Sequence, residues 1–200
     1  MNRQLRTTLM ILMTLTLILT SVAQAGEHHR TKHGLFLGLD MNSGGGGLEY
    51  EIDGEKFKSE ENIGAGGGIR FGFAFNQYVS LAVEGRGFAY RTDDLDYALG
   101  SGLLVVTVYP AGGGFYLKLG MGAGGIVAEA RDGVDPESVV EFDEEAGVGA
   151  FGLGYEWMVN PNFGLGVAWD MTGLVSDDFD DVEDLVAGSS TLGLAMNYYF

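Results

Sequence analysis

The chain has no cysteine, only three prolines and, after residue 33, no histidine. Without cysteine there is no disulfide framework, so stability has to come from packing and backbone pairing. Three prolines beside 34 glycines exclude a collagen repeat and a proline-rich low-complexity chain. Basic residues are also scarce, 11 Lys and Arg against 28 Asp and Glu, for a formal net charge of −17. That balance argues against a nucleic-acid partner and against electrostatic docking on anionic lipid. Past the N-terminus no apolar run approaches the roughly 20 residues that a spanning helix needs. If the chain lives in a membrane it must do so as a closed sheet, in which every backbone polar group is paired between strands.

What the chain does have begins with an export signal. Arg3 and Arg6 supply a positive start, Leu9 to Leu19 an apolar stretch, and Ala23-Gln24-Ala25 a small-residue cleavage site. Residues 1–25 therefore read as a cleaved signal peptide. Residues 26–33 are expected to be a short periplasmic tail carrying His28, His29 and His33, and residues 34–200 the folded domain.

Period-two alternation dominates that domain. Phe200, Tyr198, Met196, Leu194 and Leu192 share one side of a strand, and Tyr199, Asn197, Ala195, Gly193 and Thr191 the other. The spacing predicts strands over 34–42, 63–75, 78–90, 101–109, 115–128, 147–159, 162–173 and 188–200. Their connections alternate between short turns (Asn76-Gln77, Pro110 to Gly114, Asn160-Pro161) and long segments at 43–62, 91–100, 129–146 and 174–187. Large apolar residues such as Leu37, Phe71, Leu119, Leu153 and Leu165 fall on one face, with mostly Gly, Ala and isolated charges on the other. A soluble barrel would put the large groups inside; here the pattern is that of a membrane barrel, small and charged groups lining a narrow lumen. Trp157, Phe163, Tyr78, Tyr109 and Phe200 are expected in an aromatic girdle at the periplasmic ends, with Trp169 and Tyr90 at the other. The expected fold is all-β: an eight-stranded antiparallel transmembrane barrel with short periplasmic turns and long acidic extracellular loops.

Charge follows the same map. Nearly all acids fall in the four long connections, and those on strands, Asp40, Glu84, Glu156 and Asp170, all lie on the lumen face with Arg70, Arg86 and Lys118. A turn centred on Gln77 sets Arg70 opposite Glu84. Lys118 and Glu156, at similar heights on adjacent strands, form a candidate second pair. Buried charges are expected in pairs or networks because an isolated one costs several kcal/mol. The run Asp177, Asp178, Asp180, Asp181, Glu183 and Asp184 offers hard oxygen ligands for diffuse Ca²⁺ or Mg²⁺, without the glycine and spacing of an EF-hand. Gly120-x-Gly122-x-x-Gly125 and Gly147-x-Gly149-x-x-Gly152 match a dinucleotide fingerprint, but no helix pattern follows either, so both read as lumen glycines.

The signal peptide, the eight strands, the lumen charges and the Tyr198-Tyr199-Phe200 end together resemble the small eight-stranded outer-membrane proteins, the group of the OmpA transmembrane domain, OmpX and the opacity-type surface proteins. The resemblance implies residence in the bacterial outer membrane among lipid and lipopolysaccharide. It also implies recognition by the barrel assembly machinery through Phe200, Tyr198 and Met196, and a monomer without cofactor. It does not specify a task, since one barrel serves several. The reading is a non-enzymatic barrel with a plugged, charged lumen, acting through its acidic outer surface. The alternatives are a narrow channel for small ions or solutes and a lipid A-modifying enzyme. The enzyme reading is disfavoured because the histidines a serine hydrolase would use all lie at the N-terminus.

Overall fold

The structure, a computed structural model, describes residues 33–52, 55–58, 62–91, 95–130, 144–176 and 183–200. The expected signal peptide at 1–25, the expected tail up to residue 32, and residues 177–182 of the acidic run lie outside them. Among the described residues there are nine strands: β1 (Gly34–Ile52), β2 (Glu55–Lys58), β3 (Asn62–Ala74), β4 (Val79–Arg91), β5 (Leu95–Val108), β6 (Phe115–Ala130), β7 (Glu144–Asn160), β8 (Phe163–Ser176) and β9 (Glu183–Tyr199). Each barrel strand pairs antiparallel with its neighbour, and β1 pairs with β9, so eight strands close on themselves. The short β2 pairs with the far end of β1. Closure satisfies the backbone without edges, the requirement for a wall in lipid.

Local chemistry sets the turns. The Asn76 carboxamide oxygen accepts hydrogen bonds from the Tyr78 and Val79 amides at 2.8 and 3.0 Å, an Asx turn that joins β3 to β4. Gly112, at φ 62°, takes the left-handed position of the β5–β6 turn. The Asn160 side chain caps the Asn162 amide at 2.9 Å in the third. At the seam, the Phe200 amide donates to the Leu35 carbonyl at 3.0 Å.

At the opposite end the strands run further than alternation indicated. β1 continues to Ile52, β5 begins at Leu95, β6 reaches Ala130, and β7 and β9 start at Glu144 and Glu183. Much of the four long connections is therefore strand, and acids such as Glu49, Asp96, Glu129, Glu145 and Asp184 lie on it. In β1 the cause is glycine: Gly44 to Gly47 carry no side-chain alternation to read, yet their backbones pair in unbroken register.

The two faces of the wall exchange character halfway up. In the turn-side half the large groups point out: Phe71, Val83, Leu119 and Leu194 are 55, 64, 61 and 57% exposed. In the rim-side half the outward positions include Gly85, Gly87, Gly100, Gly102, Gly147, Gly149 and Gly173, several with open space where a side chain would stand. The lumen does the reverse. Its turn-side half holds glycine and charge, and its rim-side half holds a packed cluster of Phe88, Tyr90, Tyr97, Leu103, Val105, Ile126, Val148 and Leu174. Three expectations change accordingly. The rim-side lumen is apolar rather than Gly and Ala; Gly147 and Gly149 face outward; and Tyr109 and Tyr90, expected in the girdles, are buried inside.

If the wall spans an outer membrane, its height requires the glycine band to lie within the apolar layer. The bulky outward residues of β4 end at Val83, and Val79 to Val83 climbs only roughly 10 Å at a rise of ~3.3 Å per residue and a tilt near 40°. An outer-membrane barrel presents an apolar band about 25 Å tall, so the glycines above must supply the rest.

Candidate functional site

Four strands carry the charged residues into one layer at mid-height. Arg70 on β3 stands directly opposite Glu84 on β4, the register that the short Asx turn sets. Glu84 lies fully inside at 0% exposure. Its Oε1 receives Arg86 Nη2 at 2.6 Å and Lys118 Nζ at 3.6 Å, and its Oε2 faces Arg70 Nε at 3.5 Å. Asp170 on β8 takes Lys118 Nζ at 2.7 Å and Arg86 Nη2 at 3.3 Å. Arg86 Nη1 also donates to Thr172 Oγ1 at 3.1 Å. Two carboxylates thus bind three cations across the lumen. Low dielectric strengthens each pair and makes removal of any member costly.

The Lys118–Glu156 pair does not form. The residue opposite Lys118 on β7 is Gly152, and the side chain passes over it to Asp170 on the next strand. A Cβ at Gly152 would meet both the Asp170 carboxylate and Lys118 Cε, so the missing side chain opens the path. Glu156 sits lower, where Tyr199 Oη donates to its Oε1 at 2.9 Å and Tyr109 Oη to its Oε2 at 3.0 Å. Phe36 packs on Tyr199 and Tyr116 on Tyr109, with ring centroids 5.6 Å apart in each pair. Asp40 is buried apart from the network: Asn42 donates to its Oδ1 at 3.0 Å and Oδ2 has no hydrogen-bond partner.

The lumen is therefore stacked in three layers: Glu156 with its tyrosines at the turn side, the ion network in the middle, and the apolar cluster toward the rim. Between the last two lies a cavity of about 20 Å³ lined by Arg86, Phe88, Ser101, Val148, Thr172 and Leu174, room for about one water. Sequence reading missed the tyrosine clamp and the apolar layer. Carrying the parity of Glu84 and Arg86 two further steps along β4 points to both Phe88 and Tyr90.

The remaining expected residues occupy other places. Met196, Tyr198 and Phe200 lie on the outer wall beside the seam, with Tyr198 and Phe200 rings 5.1 Å apart. Glu183 and Asp184 begin β9, while Asp177, Asp178, Asp180 and Asp181 are outside the described residues. Among the described residues no three acids or histidines converge as metal ligands would.

No family model matches the chain, and no curated protein matches it. Solved structures do. Neisserial surface protein A is similar over 84% of this chain and 97% of its own, at 15% identity and a TM-score of 0.54. The fold is that of the small outer-membrane barrels. OprG from Pseudomonas aeruginosa matches over 86% of this chain and 98% of its own at 12% identity and a TM-score of 0.49. Ail of Yersinia pestis matches over 83% and 99% at 16% identity and a TM-score of 0.44. At these identities the likeness is one of architecture alone.

Proposed function

We propose that the protein is a non-catalytic integral barrel of the bacterial outer membrane, with a closed lumen and an acidic outer end that serves as a structural or recognition surface. The observation that carries this reading is the three-layer filling of the lumen. An open pathway would have to pass the Phe88 and Leu103 layer, the Arg70–Glu84–Arg86–Lys118–Asp170 network and the Glu156 clamp in turn. Eight strands leave an interior that side chains fill. No nucleophile activated by a neighbouring base stands among these layers, which favours a non-enzymatic role. The exposed terminal Phe200 with Tyr198 and Met196 suits recognition during assembly. The acidic rim suits diffuse Ca²⁺ or Mg²⁺, which would bridge it to anionic lipopolysaccharide.

Planar-bilayer recording of the refolded protein, with a heat-dependent gel shift as proof of folding, tests the closed lumen. The reading expects a silent membrane. Reproducible conductance steps, altered by Arg86→Gln, would replace it with the narrow-channel reading. For the rim, chelator is expected to lower the melting temperature in lipopolysaccharide-containing vesicles; an unchanged value removes the divalent bridge.

A further inference from the structure

The outer wall carries a groove that the closed lumen does not explain. On the rim-side half of β3, β4 and β5, Ala65, Ala89 and Ala98 form one cross-strand row, which Val127 on β6 continues. These residues floor a depression of about 630 Å³. Ile63, 85% exposed, flanks it, and Arg91 and Asp96 stand at its head.

Arg91 distinguishes this groove from bare wall. The other basic residues with described side chains, Arg70, Arg86 and Lys118, point into the lumen, whereas Arg91 is 78% exposed on the outside. Asp96 meets its Nε at 3.1 Å, and a guanidinium this exposed has further donors for an incoming anion. Their geometry matches two oxygens of a phosphate. Height fits as well: Val79 to Arg91 climbs roughly 30 Å along the tilted strand. If Val79 lies at the periplasmic edge of the hydrocarbon, Arg91 reaches the headgroup level on the far side.

We infer that this groove seats a lipid of the outer leaflet with lipid A chemistry, an acylated phosphosugar, with an acyl chain along the Ala65–Ala89–Ala98 floor and a phosphate on Arg91. Asp96 and the other rim acids oppose anionic lipid, so a single arginine above an apolar floor seats one molecule rather than recruiting anionic lipid broadly. The inference rests on residence in the outer membrane, and its test uses barrels already inserted, so a failure to bind leaves that residence untouched.

The test is native mass spectrometry of the barrel in phosphatidylcholine nanodiscs doped with lipid A, dephosphorylated lipid A or phosphatidylglycerol. Folding of each variant is confirmed by the gel shift. Wild type is expected to retain one lipid A molecule. Arg91→Gln and Ala98→Leu are each expected to lower retention at least several-fold, Arg91→Lys less. Dephosphorylated lipid A should behave with wild type as lipid A does with Arg91→Gln. Equal retention by wild type, Arg91→Gln and Ala98→Leu would overturn the site, and equal retention of phosphatidylglycerol would overturn the lipid A assignment. All of these substitutions lie on the outer surface, away from the ion network.

Discussion

The two halves of the barrel solve the same packing problem in opposite ways. On the turn side the wall carries its bulk outward, with Phe71, Leu119 and Leu194 in the lipid, and the lumen is filled by ion pairs threaded past glycines. On the rim side much of the bulk turns inward as Phe88, Tyr97 and Ile126, and outside, glycines alternate with groups such as Ala89, Ala98 and Val127. The two fillings differ in kind, one pairing charge and the other making apolar contact. The difference teaches that side chains of the wall itself can fill a barrel's interior in two ways, and that outward glycine leaves the wall thin toward the rim.

The largest expected effect lies in the ionic half. Glu84→Gln removes the acid that faces Arg70, Arg86 and Lys118 and should cost about 3–5 kcal/mol, measured as urea unfolding of the barrel in vesicles. An unchanged midpoint would show that the network contributes no net stability. Phenylalanine truncation separates inside from outside. Phe88→Ala should cost about 3–5 kcal/mol as a cavity in a packed layer. Phe71→Ala should cost much less, since lipid tails replace the lost contacts, and equal costs would erase the contrast.

Depth sharpens the comparison further. Leu119→Arg, in the bulky band, is expected to cost about 2–4 kcal/mol, and Ala98→Arg, nearer the outer interface, less, as lipid-facing charge is penalised by depth. Glycine gives the smallest and most local test. Gly149→Val enters open space and should change stability by no more than about 0.5 kcal/mol. Gly152→Val drives into Asp170 and Lys118 and should be plainly destabilising in the same assay.

Legibility in the sequence followed the same division. Turn-side alternation in segments such as Phe115 to Met121 and Phe163 to Trp169 marks strand and face together. The Arg70–Glu84 pairing was readable because a short turn at Asn76 sets the register within a few residues. The Lys118–Asp170 contact was not, because it skips β7 and depends on barrel shear and on the gap at Gly152. The extension of β1 past residue 42 was not readable because Gly44 to Gly47 carry no face, so a paired backbone there looks like a loop. The tyrosine clamp on Glu156 escaped for a related reason: Tyr109 and Tyr199 sit at strand ends, where aromatic residues more often mark the membrane interface.

The most direct test of this two-half wall is a single-cysteine scan along β4, made clean by the absence of native cysteine. Each position from 79 to 91 would carry a spin label in vesicles, read by collision with a lipid-soluble and a water-soluble relaxant. The account predicts that Gly85 and Gly87 report lipid as Leu81 and Val83 do, while Ala82, Glu84 and Phe88 are shielded from both relaxants. Water-soluble contact at Gly85 and Gly87 would contradict it, placing the glycine band above the membrane and leaving the bulky band alone to span it.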